Sequence, residues 1–123
     1  MPKKMIIAED DEYLRGSYVE FFRILKKDLE VEAVPSGEEL LERMKNSKYD
    51  LVMTDNDLGR GINGFEVIAR IREFDKTIPI FMVSGTEGLV EKFAIEQGAT
   101  GYLVKKYLSL GKIRGEIIDK YLS

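Results

Sequence analysis

The strongest constraint on the fold is a repeated alternation of short apolar runs with longer stretches of helical periodicity. Strand-like runs occupy residues 5–8, 30–34, 51–54, 78–83 and 101–104. Each run is followed by a segment whose apolar residues recur every three or four positions. Strands that alternate with helices form right-handed βαβ units, which give a parallel sheet covered on both faces. The sequence therefore predicts an α/β domain with five parallel strands and five helices.

The helical segments have predictable inner faces and ends. Ser36 is an expected N-cap, with Glu39 three residues further on, and Thr86 is an expected cap of the fourth helix. Gly98 is expected to end that helix. The expected inner-face residues are, helix by helix, Leu14, Tyr18, Phe21 and Leu25; Leu40, Leu41 and Met44; Phe65, Ile68 and Ile71; Val90, Phe93, Ala94 and Gln97; and Leu110, Ile113, Ile117 and Tyr121.

Length and composition narrow the class of protein. A chain of 123 residues with 44% hydrophobic and 33% charged residues is expected to form one globular domain over residues 1–123. Its net charge of −3 argues against nucleic acid as a main partner. The absence of cysteine excludes disulfides and thiolate metal sites, and the absence of histidine excludes histidine-based catalysis. No apolar run reaches membrane-spanning length, so we expect a cytoplasmic protein without a membrane partner.

Chemically versatile side chains follow four of the five predicted strands. In chain order they are Glu9, Asp10, Asp11 and Glu12; Asp55 and Asp57; Ser84, Gly85 and Thr86; and Lys105 and Lys106. The carboxyl ends of parallel strands meet at one edge of a sheet, so these groups are expected to converge there. Clustered carboxylates need a cation to offset their repulsion, and all-oxygen ligands beside a phosphate favour Mg²⁺. Each group alone is more often a solvated loop residue; only their joint placement predicts a site.

Five segments carry a resemblance to a known family. They are IIAEDDE (6–12), DLVMTD (50–55), NG (63–64), PIFMVSG (79–85) and GATGYLVK (98–105). In these segments the chain resembles the receiver domain of two-component response regulators, and the resemblance extends over the whole chain. It implies a flavodoxin-like sheet with strand order 2-1-3-4-5. It also implies a phosphoacceptor signalling switch, which catalyses only its own Mg²⁺-dependent phosphorylation and dephosphorylation.

The resemblance also implies roles for individual residues. Asp55 is the expected phosphoacceptor, and Mg²⁺ is expected to be held by Glu9, Asp10, Asp55 and the backbone carbonyl of Asp57. The expected phosphoryl-binding and switch residues are Ser84, Gly85, Tyr102 and Lys105, with Asp57 and Thr86 tuning the rates.

The same resemblance implies partners. The phosphodonor is a sensor histidine kinase or a phosphotransfer protein, or a small molecule such as acetyl phosphate, because the chain has no histidine of its own. A downstream protein is expected to bind the face formed by the fourth helix, fifth strand and fifth helix. That face lies around Lys92, Glu96, Tyr102, Tyr107 and Arg114. The chain is either a stand-alone regulator of the chemotaxis type or a domain of a longer protein.

Two features depart from the family pattern. The segment of residues 57–64 is one residue longer than usual and has Gly59 where proline is common. Lys106 also replaces a common proline, so the bond between Lys105 and Lys106 is expected to be trans, because a non-proline cis bond costs about 3 kcal/mol.

Three other classes share part of the pattern. A Mg²⁺-dependent phosphatase of the haloacid-dehalogenase class has an Asp-x-Asp like residues 55–57, but there the nucleophile strand comes first and the acidic pair last. A flavodoxin-like electron carrier needs a phosphate-binding loop where this chain has residues 9–12. A pseudo-receiver used only for docking would lack part of the acidic pocket.

Overall fold

The central element is a parallel five-stranded sheet, seen in a computed structural model that describes residues 2–123. Its strands are β1 (Lys4–Ala8), β2 (Glu30–Val34), β3 (Leu51–Asp55), β4 (Ile80–Ser84) and β5 (Gly101–Val104). The helices are α1 (Glu12–Leu25), α2 (Gly37–Asn46), α3 (Gly64–Phe74), α4 (Leu89–Gln97) and α5, which is α-helical over Leu110–Ile113 and π-helical over Arg114–Leu122. A 3₁₀ turn, Lys105–Tyr107, precedes α5. The strand order β2-β1-β3-β4-β5 confirms the predicted flavodoxin-like topology.

Two hydrophobic cores cover the two faces of the sheet. On one face α1 and α5 pack through Phe22 and Ile117, both fully buried. On the other face α2, α3 and α4 pack through Leu40, Ile68 and Ala94, which are also fully buried. The strand order reverses direction at β1, so crossovers of the usual right-handed kind place helices on both sides of the sheet. The loops that follow the strands are thereby gathered at one edge.

The prediction for the inner face of α1 was wrong at one position. Phe22 is fully buried, whereas the predicted Phe21 is 37% exposed. Both aromatic residues fit a helical period, and Phe22 lies four residues after the buried Tyr18, on the same side of the helix. In α4 the predicted Phe93 is exposed, and Ala94 is the residue that is buried. In α5 the predicted Leu110 is exposed, while Ile118 and Leu122 are buried.

Most helix ends follow the predictions. Ser36 caps α2 by accepting a hydrogen bond from the Glu39 N–H at 3.1 Å, and Gly98 ends α4 in the left-handed conformation at φ +117°. The predicted Thr86 cap was wrong, because α4 begins after Gly88 and has no side-chain cap. Within residues 2–123 all peptide bonds are trans, as predicted for Lys105–Lys106. In the same range no helix is long and apolar enough to cross a membrane.

A charge network joins the amino-terminal part of the sheet to α2. Glu32 of β2 accepts a hydrogen bond from the Tyr49 hydroxyl at 2.7 Å and one from the Arg43 guanidinium at 3.1 Å. The Lys4 ammonium of β1 lies 3.1 Å from the other Glu32 carboxylate oxygen. Although partial burial opposes it, these contacts lower the pKa of Glu32 below its usual value of 4.5. The network therefore favours ionised Glu32 in the folded protein.

Replacing Glu32 with glutamine should destabilise the fold by about 1 kcal/mol at neutral pH, since charged hydrogen bonds are lost. Because the pKa of Glu32 is lower in the folded state than in the unfolded state, ionised Glu32 stabilises the folded protein. This stabilisation is complete above the unfolded-state pKa and is lost as pH falls through the folded-state pKa. The free energies of unfolding of Glu32→Gln and the wild type should therefore converge below pH 4.5. Urea titrations between pH 7 and pH 3 measure this. The control is Glu30→Gln, an exposed site on the same strand; an equal pH effect there would contradict the assignment.

Candidate functional site

A buried carboxylate and an ammonium group form the centre of the loop edge. Asp55, the last residue of β3, is 5% exposed. Its Oδ2 lies 2.6 Å from Nζ of Lys105, the residue that follows β5, and its Oδ1 accepts a hydrogen bond from the Asp57 N–H at 3.0 Å. Although burial works to lower the pKa of Lys105, its hydrogen bond to Asp55 and the surrounding carboxylates raise that pKa above the usual value. The pair is therefore held together as an ion pair.

A second carboxylate is buried beside the first. Glu9 follows β1 and is 1% exposed; its Oε2 accepts a hydrogen bond from the Asp11 N–H at 3.2 Å. Among residues 2–123 its Oε1 has no hydrogen-bond partner, and Lys105 Nζ lies 3.9 Å from that atom. Burial, together with the neighbouring Asp55 carboxyl, raises the pKa of Glu9 to about 8. One ammonium group thus lies near two buried carboxyl groups. Oε1 of Glu9 is left without a hydrogen bond in that range and is a suitable ligand for a cation.

The third predicted ligand, Asp10, stands apart from this pair. Asp10 is exposed, and its Oδ2 is 2.9 Å from the position that a Cβ on Gly59 would occupy. Over the described range of residues 2–123, no three carboxylates are gathered closely enough to hold a metal ion as they stand. The structure therefore brings together Glu9 and Asp55 of the predicted metal ligands. The donor set nevertheless fits a hard cation, because it consists of oxygen atoms and includes the unpartnered Glu9 Oε1.

The loop after β3 is fixed at several points. The exposed Asp57 accepts a hydrogen bond from the Gly59 N–H at 3.0 Å through its side chain. Leu58 is buried in the second core, and the Glu38 carboxylate of α2 accepts a hydrogen bond from the Ile62 N–H at 2.9 Å. Gly59 and Gly61 have φ values of +72° and +86°, which side chains rarely adopt. The loop is thus shaped by two left-handed glycines and anchored to α2 through Glu38.

The hydroxyl groups predicted to form the switch are also placed together. Ser84, the last residue of β4, is 4% exposed, and its Oγ is 3.2 Å from Thr86 Oγ1. The Thr86 N–H donates to Ser84 Oγ at 3.3 Å, and the Tyr102 hydroxyl of β5 donates to the Thr86 carbonyl. A Cβ added to Gly85 would meet no atom within 4 Å, so space is open beside Ser84. Thr86 therefore makes hydrogen bonds with Ser84 and Tyr102 instead of capping α4.

Three supporting residues were missed by sequence reasoning. Arg15 of α1 donates to the Glu9 carbonyl at 3.0 Å, and the Thr54 hydroxyl donates to the Asp55 carbonyl at 3.0 Å. Gly64, the second residue of the Asn-Gly pair, lies so close to the Asp55 carbonyl that a Cβ there would clash. Asn63 caps α3 by accepting from the Glu66 N–H at 3.0 Å, so the Asn-Gly pair positions α3 directly against the site. That pair was the one available signal for the close approach.

The arrangement has the parts needed to receive an anionic group. Asp55 presents a carboxylate oxygen, a group able to act as a nucleophile, and Lys105 supplies positive charge within contact distance of it. Glu9 and Asp10 offer oxygen ligands, and Ser84 offers a hydroxyl group on the neighbouring strand end. Positioning and charge neutralisation of this kind are the main requirements of phosphoryl transfer.

Comparison with known proteins agrees with this geometry. Residues 5–117 match the family model described as the response regulator receiver domain. The chain is 34% identical over 119 residues to the transcriptional regulatory protein CiaR of Streptococcus pneumoniae, covering 95% of this chain and 51% of that protein. It is 30% identical to the two-component response regulator PhoP of Pseudomonas aeruginosa, covering 85% of this chain and 45% of PhoP. The chain thus spans about half the length of these relatives.

Solved structures show the same fold. A CheY-like response regulator receiver domain protein from Methanospirillum hungatei superposes with a TM-score of 0.86 at 22% identity, covering 98% of this chain and 94% of the other. The chemotaxis response regulator CheY4 of Vibrio cholerae superposes with a TM-score of 0.84 at 22% identity, covering 97% of this chain and 98% of the other.

Proposed function

Because this chain belongs to the response regulator receiver domain family, the phosphoacceptor switches of two-component signalling, we propose that Asp55 is the residue that accepts the phosphoryl group. The observation that carries the proposal is the 2.6 Å contact between the buried Asp55 carboxylate and Lys105. Only this carboxylate is both the end of a central strand and paired with the lysine that follows β5. No comparison supports a haloacid-dehalogenase-like phosphatase.

The reaction is an in-line displacement at phosphorus. A carboxylate oxygen of Asp55 attacks the phosphorus atom, and the bond between phosphorus and the donor breaks as the new P–O bond forms. The donor leaves as acetate when it is acetyl phosphate, or as histidine when it is a sensor histidine kinase or a phosphotransfer protein. Lys105 offsets negative charge on the phosphoryl oxygens. Hydrolysis of the acyl phosphate by water returns Asp55 to its carboxylate, so the domain limits its own phosphorylated lifetime.

The family generally uses Mg²⁺, and the oxygen-rich donor set here suits it. We assign the ion to Glu9, Asp10, Asp55 and the backbone carbonyl of Asp57. When bound, Mg²⁺ supplies positive charge that neutralises the phosphoryl oxygens and the clustered carboxylates. Glu9 is buried beside Asp55, with Oε1 unpartnered among the described residues, whereas the Asp10 carboxylate lies beside Gly59.

The switch is proposed to act through Ser84, Gly85, Lys105 and Tyr102. Ser84 and Lys105 contact the phosphoryl group, Gly85 leaves room for it, and the altered contacts bias the orientation of Tyr102. A downstream protein then binds the face formed by α4, β5 and α5, as part of a stand-alone regulator or of a longer cytoplasmic protein. CiaR is named a transcriptional regulatory protein. For the present domain we propose protein partners and no direct binding of nucleic acid.

Intact-mass spectrometry after incubation with acetyl phosphate tests the proposal. We expect one phosphoryl group per chain with Mg²⁺ and none when EDTA replaces it, because the carboxylate cluster repels an anionic donor. Peptide mapping should place the group between Asn46 and Asp75. Labelling that is indifferent to Mg²⁺, or that maps elsewhere, would contradict the assignment.

Asp57→Asn should accelerate phosphorylation by acetyl phosphate a few-fold at low salt. The exposed Asp57 carboxylate stands in the path of an anionic donor, and two unit charges about 6 Å apart in water interact by roughly 0.7 kcal/mol. Asparagine can still accept the Gly59 N–H, so the loop should be preserved. The rate is measured at two salt concentrations, because screening should reduce the gain. If the phosphorylated lifetime lengthens instead, the carboxylate orients the hydrolytic water; no change in either rate would refute a rate-tuning role.

A further inference from the structure

The loop between β4 and α4 contains a closed set of hydrogen bonds centred on Thr86. Its N–H donates to Ser84 Oγ at 3.3 Å, and its own hydroxyl lies 3.2 Å from the same oxygen. Its carbonyl accepts from the Tyr102 hydroxyl, which is also 3.5 Å from Thr86 Oγ1. Thr86 is exposed and makes no cap to α4, so its polar groups serve only these contacts among the described residues.

The Ser84 and Thr86 hydroxyl groups can share their hydrogen bond in two directions, and in one of them the Ser84 proton is free. A serine hydroxyl has one proton to donate and two lone pairs that accept. The Thr86 N–H occupies one lone pair. When the Thr86 hydroxyl donates to the second lone pair, both acceptor positions of Ser84 Oγ are filled and its proton is free for another acceptor. Ser84 is 4% exposed, so water competes little for that proton.

The free proton has a suitable acceptor nearby once Asp55 is phosphorylated. Asp55 and Ser84 end neighbouring strands, since Asp55 pairs with Val83 in the parallel register of β3 and β4. Gly85 directly follows Ser84 and is exposed, and an added Cβ there would meet no atom of the described residues within 4 Å, so no side chain crowds this position. A phosphoryl oxygen is a strong acceptor and forms charge-assisted hydrogen bonds.

We infer that the Thr86 hydroxyl is a positioning group that orients the Ser84 proton toward a phosphoryl group on Asp55, an inference that rests on the proposed role of Asp55. The same residue joins Ser84 to Tyr102 and thus to β5. Thr86 therefore acts on the phosphoryl group through Ser84 and not by direct contact.

The test is a titration with beryllofluoride, a mimic of the phosphoryl group, in the presence of Mg²⁺. Binding is monitored by NMR of the amide and tyrosine ring signals. Thr86→Val removes the hydroxyl and keeps the side-chain shape. We expect it to weaken beryllofluoride binding about three- to tenfold, the effect of one oriented hydrogen bond. Thr86→Ser retains the hydroxyl and should bind within about twofold of the wild type. In the unliganded protein, Thr86→Val should also shift the Tyr102 ring signals, whereas Thr86→Ser should not.

A double-mutant cycle with Ser84→Ala separates orientation from simple access to the pocket. Without the Ser84 hydroxyl there is nothing to orient, so Thr86→Val should then have no further effect. An equal loss in the Ser84→Ala background, or an equal loss in Thr86→Ser, would overturn the inference while leaving Asp55 as the phosphoacceptor. Failure of the wild type to bind beryllofluoride with Mg²⁺ would overturn both the proposed function and the inference.

Discussion

Asp55→Asn should reduce phosphorylation by acetyl phosphate to an undetectable level, a loss of more than about a hundredfold, because an amide oxygen is a poor nucleophile. The change preserves the shape of the side chain, and asparagine can still accept the hydrogen bond from the Asp57 N–H. Loss of labelling would therefore come from the chemistry and not from a collapsed loop. Intact-mass spectrometry with acetyl phosphate and Mg²⁺ measures the result.

The matched control is Asp28→Asn, which makes the same chemical change in the connection between α1 and β2. The Asp28 side chain is 68% exposed and pairs only with Lys26 at 3.3 Å among the described residues. It should label as fully as the wild type. Residual labelling of Asp55→Asn at the wild-type level would show that another group accepts the phosphoryl group.

Glu9→Gln should stabilise the metal-free protein and remove most of the stabilisation that Mg²⁺ gives. Without a divalent cation, burial beside Asp55 raises the pKa of Glu9 to about 8, so folding at pH 7 must protonate Glu9 or bury its charge. The variant avoids this cost and leaves Asp55 and Lys105 as a balanced pair. Removal of this cost should stabilise the metal-free variant by about 1 to 2 kcal/mol at pH 7. When the Mg²⁺ concentration is a hundred times Kd, binding of the ion stabilises the wild type by about 2.7 kcal/mol. The variant should lose most of that stabilisation.

Urea unfolding in EDTA and in increasing Mg²⁺ checks this prediction. The control is Glu12→Gln, which removes a charge from the exposed first turn of α1 beyond the acidic pair. It should show the wild-type dependence on Mg²⁺. Parallel Mg²⁺ curves for Glu9→Gln and the wild type would remove Glu9 from the metal site. A less stable metal-free variant would mean that the Glu9 carboxylate is better compensated than its unpartnered Oε1 indicates.

Local errors in the sequence predictions share one cause. Phe21 and Phe22 are both aromatic and both fit a helical period, so only packing against the sheet selects Phe22 for the core. Thr86 has the chemistry of a helix cap, but Tyr102 and Ser84 compete for its polar groups across the loop. In both cases a contact distant in sequence outweighed a local preference.

By itself the sequence determined the sheet, its order of elements and the edge where the site lies. Alternating strand and helix patterns permit few right-handed parallel arrangements, and such arrangements gather residues such as Asp55, Ser84 and Lys105 at the strand ends. Only the tertiary structure decided which of these groups meet. Glu9 is buried beside Asp55 with an unpartnered oxygen, whereas Asp10, its neighbour in the chain, faces Gly59 and the solvent. Adjacent residues point in different directions from a loop, and their burial and distances depend on packing from elements far apart in the sequence.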